Sequence, residues 1–237
     1  MNYKYIIIYF LLFFSLNNLF SQNTNKKKIT NNGFYFLPTQ LKYREINFSY
    51  EHFIKERISL TISMAYKIPY GTDTLFEPNA SGLYAIYEYQ YMINKHSNAI
   101  YFSISPSFYF DNRNKYFFQP ELFNRFYWFD DIHLSYDNEE TYRYNSIRSE
   151  RNNVTGIKLL FGFNNLIKIS ENLAFNIKLY AGPGFRFKIY QYKNIDYKDI
   201  NYETGENVYI PYKEENGTFA CLSFNLGVKI GLVHLKY

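Results

Sequence analysis

The chain has 237 residues, enough for one domain with room for two small ones, and a formal net charge of +5. Its single cysteine, Cys221, excludes an internal disulfide, and the run Lys26, Lys27, Lys28 reads as a solvated leader segment rather than a nucleic-acid patch. Aromatic residues are the outlier, 27 Tyr and 24 Phe beside one Trp. A water-soluble domain would struggle to hide so many rings, whereas lipid and its interface accommodate them.

Residues 1–21 read as a secretory signal peptide, with Lys4 as the positive start. The apolar run from Ile6 to Phe14 is too short to span a bilayer as a helix. Ser21 marks a cleavage site, so the mature chain is expected to start at Gln22. No cysteine follows the run, which argues against a lipid anchor, and no later stretch is apolar enough for a transmembrane helix. Residues 22–32 are expected to form a periplasmic leader and 33–237 the main domain.

That domain shows period-two alternation, the mark of strands with two unlike faces. A first strand is drawn from 29–37 on Phe34 and Phe36. Residues 44–53 set Ile46, Phe48 and Tyr50 against Glu45, Asn47, Ser49 and Glu51. Residues 58–70 set Ile58, Leu60, Ile62, Met64 and Tyr66 against Ser59, Thr61, Ser63, Ala65 and Lys67. Residues 83–93 place Leu83, Ala85 and three tyrosines opposite Tyr84, Ile86, Glu88, Gln90 and Met92. Residues 98–110 oppose Ile100, Phe102, Ile104 and Phe108 to Tyr101, Ser103, Ser105, Ser107 and Tyr109. Three further strands follow at 155–169, 173–189 and 218–235; the last opposes Leu222, Phe224 and Leu226 to Cys221, Ser223 and Asn225. Several runs match the roughly 9–11 residues of a tilted membrane strand. Small inward Gly and Ser suit a narrow barrel better than the outside of a sandwich.

Short connections at 54–57, 94–97 and 170–172 alternate with long ones at 71–81, 111–153 and 190–217. Short periplasmic turns and long external loops characterise outer-membrane barrels, whose even strand count demands the strand at 29–37. The expected fold is all-β, a closed antiparallel transmembrane β-barrel of eight strands with long external loops.

The segment from Glu45 to Glu51, a short turn, then Ser59 to Ser63 resembles the opening hairpin of small bacterial outer-membrane barrels, OmpA-like in size. Leu179 to Arg186 is similar to their penultimate strand and Ser223 to Gly231 to their closing strand. The likeness covers roughly residues 30–237 except 111–153, and implies a fold and an outer-membrane location but no reaction. The family usually closes on an aromatic residue, a part Tyr237 can take, although Lys236 stands before it.

With apolar faces toward lipid, Glu45, Glu51, Glu88, Lys67, Lys158, Lys178, Arg186, Lys188 and Lys229 point inward and are expected to form a charge network. Unpaired buried charges cost several kcal/mol, so these must find partners or a wet mouth. A structural network is the favoured reading, an anion-selective passage the other. The loop at 111–153 carries Phe126, Tyr127, Trp128, Phe129, Asp130 and Asp131 as a candidate surface for sugar or protein. Extension of the flanking strands above the membrane, with those rings packing on one another, is the equal alternative. Asp130, Asp131, His133 and Ser135 are a weak hydrolase signal, since no nucleophile is positioned by spacing alone. Gly182-Pro183-Gly184 lacks the residues of a phosphate loop, and the glycosylation patterns at Asn153 and Asn216 read as chance. No cofactor, metal or nucleic acid is expected.

The leading expectation is a non-enzymatic envelope barrel, with binding through its outer loops left open. Its expected partners are outer-membrane lipid, the barrel-assembly machinery and an extracellular ligand of unknown kind. A narrow channel, a membrane-embedded hydrolase or acyltransferase, and a secreted lipocalin-like barrel with its apolar faces turned inward are the alternatives.

Overall fold

The computed structural model describes residues 29–69, 74–76, 96–111, 114–138, 142–201 and 213–236. The expected signal peptide and the expected strand at 83–93 lie outside these residues. The described strands are β1 (Ile29–Phe36), β2 (Glu45–Lys55), β3 (Ile58–Lys67), β4 (Thr74–Phe76), β5 (Asn98–Tyr109), β6 (Tyr116–Asn138), β7 (Tyr142–Lys168), β8 (Leu173–Asn201) and β9 (Lys213–Lys236).

All but β4 form one ring of antiparallel strands in the order β1-β2-β3-β5-β6-β7-β8-β9, closed by β9 on β1. β4 adds three residues in parallel to β6, pairing Thr74 with His133. The all-β class, the strand count and the first strand agree with expectation. β1 starts at Ile29, inside the segment expected to be leader.

Two expectations are corrected. Residues 111–153 are not a loop, because β6 and the first part of β7, to residue 153, lie there, and β3 pairs with β5, with β6 next in the ring. The turn chemistry explains this. Asp111 Oδ1 accepts the backbone N–H groups of Lys115 at 2.5 Å and Tyr116 at 3.2 Å, and Asn114 adopts a left-handed φ of 54°. Asp and Asn supply such turns from their own side chains. The short turn therefore follows β5 rather than preceding it, and the connection from β3 to β5 is the long one. β5 consequently runs opposite to its expected direction. One end of the ring, here the lower, carries the chain ends of β1 and β9 and the short connections at 56–57, 110–115 and 169–172.

The registers define the ring's proportions. Paired residues followed from Ile230 through Phe36, Phe48, Met64, Phe102, Asn124, Thr155 and Phe187 return to β9 at Ala220, ten residues from the start. With eight strands, a stagger of ten implies a tilt of about 40° and a backbone radius of about 8 Å. Such an interior holds side chains and little else.

The faces follow the alternation. Glu45, Asn47, Ser49 and Glu51 of β2, Ser59 to Lys67 at odd positions of β3, and Ala99 to Tyr109 at odd positions of β5 are buried. Phe48, Met64, Phe102, Leu122 and Phe161 are exposed on the outside. Charges lie within and apolar side chains without, the reverse of a lipocalin-like arrangement. Close strand approach also excludes side chains in places. A Cβ at Gly182 would lie 1.9 Å from the Leu159 carbonyl oxygen, in the neighbouring backbone, whereas at Gly184 its nearest neighbours are the side chains of Asn225 and Ser223 at 2.8 and 2.9 Å. Gly182→Ala is therefore expected to destabilise the ring by about 3 kcal/mol, and Gly184→Ala by clearly less, in denaturant unfolding followed by circular dichroism in detergent. Equal stability of the two variants would contradict this packing.

Candidate functional site

The ring interior is the part of the molecule where chemistry-bearing side chains converge, and it is organised around carboxylates. β2 points Glu51, fully buried, into the lower half. Its Oε2 accepts from Lys178 Nζ at 2.6 Å and from the Tyr35 hydroxyl at 2.8 Å. Its Oε1 accepts from Ser59 Oγ at 2.5 Å and from the Tyr109 hydroxyl at 2.8 Å. Lys178 also donates to the Tyr109 oxygen at 2.7 Å, and Asn176 donates to the Tyr35 oxygen at 2.7 Å. The Lys178 ammonium lies 4.8 Å from the Tyr35 ring centre and 5.4 Å from that of Phe117, whose faces favour a cation. Phe53, Tyr109 and Phe117 pack together beside this cluster, with Tyr180 against them.

Three further carboxylates repeat the pattern. Glu121 of β6 pairs with Lys158 of β7 and accepts from the Tyr101 hydroxyl at 2.5 Å. Glu45 of β2 accepts from Arg125 Nη2 of β6 at 2.6 Å, bridging two sides of the ring. Arg125 also donates to the Tyr127 oxygen at 3.1 Å. Near the upper end, Glu150 accepts from Asn152 at 2.6 Å and faces Arg148 at 3.2 Å and Lys188 at 3.7 Å. Lys67 donates to the Ser97 carbonyl at 2.8 Å and its hydroxyl at 3.1 Å. Arg186 reaches Asn225 Oδ1 at 3.3 Å, and Lys229 lies 5.6 Å over the Tyr180 ring.

Of the expected inward charges, Glu45, Glu51, Lys158, Lys178, Arg186, Lys188 and Lys229 all belong to this interior, and Glu88 lies outside the described residues. Sequence reasoning missed Glu121, Arg125, Arg148 and Glu150, because all four sit in the segment expected to be a loop. The signal that finds the first two is the Asp111-to-Asn114 turn followed by Phe117, Gln119, Glu121, Phe123 and Arg125 on alternate positions.

The expected surface loop is not assembled. Phe126 to Asp131 lies on β6, where alternation divides it between faces. Phe126 and Trp128 stack at 5.5 Å on the outside, while Tyr127 and Phe129 turn inward. Asp130 and Asp131 are exposed at a bulge between Phe129 and Ile132, with Asp131 at φ 50°. Asp131 accepts from Ser149 Oγ at 3.1 Å, and Asp130 lies 3.9 Å from Arg151. Asp130, with Ser149, Arg151, Gln191 and Lys193, lines a shallow depression of about 230 Å³ on the outer face. Among the described residues no group of His, Cys, Asp and Glu is arranged to hold a metal.

Removing Lys178 strands the buried Glu51 charge, a loss of about 3–5 kcal/mol for a buried pair. Lys178→Met is expected to show that loss in denaturant unfolding in detergent, and Glu51→Gln combined with Lys178→Met to recover a large part of it. A double variant no more stable than the single one would mean that the pair is not the coupled unit described.

In comparisons with known proteins, no family model, no curated protein and no solved structure matches the chain.

Proposed function

We propose that the chain is a non-enzymatic outer-membrane β-barrel, exported behind its signal peptide and closed to solutes by its own interior. The observation that carries this reading is the inversion of faces, with ion pairs inside and a continuous apolar surface outside. A patch of that size in water would be an association hazard, whereas in lipid it is the required solvent-facing surface. The dimensions agree. Ten residues of β3 rise roughly 33 Å along the strand, or about 25 Å along the axis at a tilt near 40°, the height of a membrane barrel's apolar band. The ring strands other than β9 above Ile230 lie between two paired neighbours, which meets much of the backbone demand of a lipid-spanning segment.

The rims support the same orientation. Trp128 on β6 pairs with Asn98, the first residue of β5, and so stands at the upper edge of the complete ring. Tyr66 lies on the same side, bonded to Asn98 Oδ1 at 3.1 Å. Tyr116 and Phe110 stand exposed at the lower edge. Amphipathic rings favour such interfaces. Above the upper rim β6 to β9 continue as a four-stranded wall, the place for any surface binding. Outer-membrane lipid and the assembly machinery for such barrels are the partners that this reading implies.

Closure argues against the channel. Glu51, Lys178, Tyr35, Tyr109 and Phe117, each buried, occupy a cross-section only about 16 Å across between backbones. Planar bilayers containing the protein are expected to show no stepwise conductance; a steady anion-selective current would favour the passage instead. The membrane reading is tested by Trp128, the chain's single tryptophan. In vesicles its emission is expected to be quenched more by lipids brominated near the headgroup than by lipids brominated at the chain end. A chain recovered in solution without detergent, with unquenched emission, would overturn the reading.

A further inference from the structure

At the upper rim the outer wall of β6 to β8 changes from apolar to charged within two rows of residues. Trp128 of β6 pairs with Arg151 of β7, and Arg151 pairs with Gln191 of β8. One row higher, Ser149 pairs with Lys193. These four polar residues and Asp130, at the β6 bulge, line the shallow depression on the outer face. Arg151 and Lys193 are diagonal neighbours on paired strands, roughly 7 Å apart, a gap that one phosphate group fills.

Both signs of charge face this depression without closing on each other. Asp130 lies 3.9 Å from Arg151, and Glu214 lies 3.9 Å from Lys193. Each separation is beyond the hydrogen-bond limit of about 3.2 Å. The neutral residues are held in place, Gln191 donating to Glu214 Oε1 at 2.6 Å and Ser149 to Asp131 Oδ1 at 3.1 Å. Exposed ion pairs of this length add little to stability. A second polar group lies just below. Asn124 Nδ2 donates to Asn153 Oδ1 at 2.6 Å and to Thr155 Oγ1 at 2.8 Å. All three are exposed on the outer wall, beside the exposed Phe187 and Ile189 of β8. Amides turned toward hydrocarbon are costly without a polar partner. Asn153 stands two residues from Arg151 on the same face, about 7 Å along the strand toward the centre of the apolar band.

We infer that this wall seats the phosphoethanolamine headgroup of a membrane lipid. The phosphate lies between Arg151 and Lys193, the ammonium against Asp130, and the acyl ester carbonyls at the level of Asn153. The inference deepens the membrane reading above and rests on it. The guanidinium fork of Arg151 matches a phosphate, and a primary ammonium brings three N–H donors to the carboxylate. A headgroup that is only anionic would leave Asp130 facing like charge. A choline headgroup would bring Asp130 no N–H. A free phosphate in water would leave the Asn124, Asn153 and Thr155 group unused.

The test uses the full chain in phosphatidylcholine vesicles with Trp128, the neighbour of Arg151, as the probe. A small share of the lipid is replaced by a form brominated near the headgroup, in turn phosphatidylethanolamine, phosphatidylglycerol and phosphatidylcholine. Brominated phosphatidylethanolamine is expected to quench as if enriched about fivefold over the other two, the ratio that about 1 kcal/mol gives. Arg151→Gln is expected to abolish that enrichment. Asp130→Asn is expected to bring phosphatidylglycerol level with phosphatidylethanolamine or above it. Lys115→Gln, at the lower rim, is expected to leave the enrichment unchanged. Equal quenching by the three lipids, a preference of the unsubstituted chain for phosphatidylglycerol, or enrichment that survives both Arg151→Gln and Asp130→Asn would overturn the inference. Vesicles made wholly of brominated phosphatidylcholine separate the two ideas. Quenching there without headgroup preference removes only the seat, and no quenching there removes the membrane reading itself.

Discussion

One carboxylate ties more of this molecule together than any other group. Glu51 of β2 receives hydrogen bonds from Tyr35 of β1, Ser59 of β3, Tyr109 of β5 and Lys178 of β8. Five of the eight ring strands thus converge on two oxygen atoms. A charge so deep is tolerated only because both oxygens are met by donors. The dependence runs both ways. Slipping β2 by one residue would turn Glu51 outward and Phe48 or Tyr50 inward, so the network holds the register that creates it.

The narrow ring sets the terms for that network. A stagger of ten on eight strands leaves an interior that side chains fill, and what fills it must satisfy strands from all sides. Tyrosine suits this place because it spans the bore with its ring and delivers a hydroxyl to a distant carboxylate. Glycine serves where strands come too close for any side chain, as at Gly182 beside the Leu159 carbonyl. Toward the upper end the cations Arg148, Lys188 and Arg186 are only half-buried, and their pairings are longer. The charge network therefore loosens from the lower rim to the upper one, in step with the access of water.

The strands are unequal, and this inequality makes the molecule more than a plug. β1, β2, β3 and β5 are 8 to 12 residues long, whereas β6 to β9 are 23 to 29. One side of the ring stops at its upper rim, and the other rises well past it. The same mismatch ends β1 early, and among the described residues β9 above Ile230 pairs with β8 alone. A scaffold with a charge-paired interior and a raised wall has its capacity for interaction on its outside.

The class of structure and the sense of its faces were legible in the amino-acid order. Alternation in β2, β3, β5, β8 and β9 is set by side chains alone, since a strand has a period of two wherever it lies. Glu45, Glu51, Lys178 and Lys229 could therefore be placed on one face without knowledge of their neighbours. Who meets whom was settled only in the folded ring. Glu45 finds Arg125 eighty positions away, and Lys178 finds Glu51 across the ring. Folding also settled that β6 joins the ring beside β5. Its alternation stands in the sequence, and the turn held by Asp111 and Asn114 brings Glu121 and Arg125 to partners in β2, β5 and β7. Strand pairing is a contest between segments for the same neighbours, and its outcome depends on turn geometry and on charges brought together from distant parts of the chain.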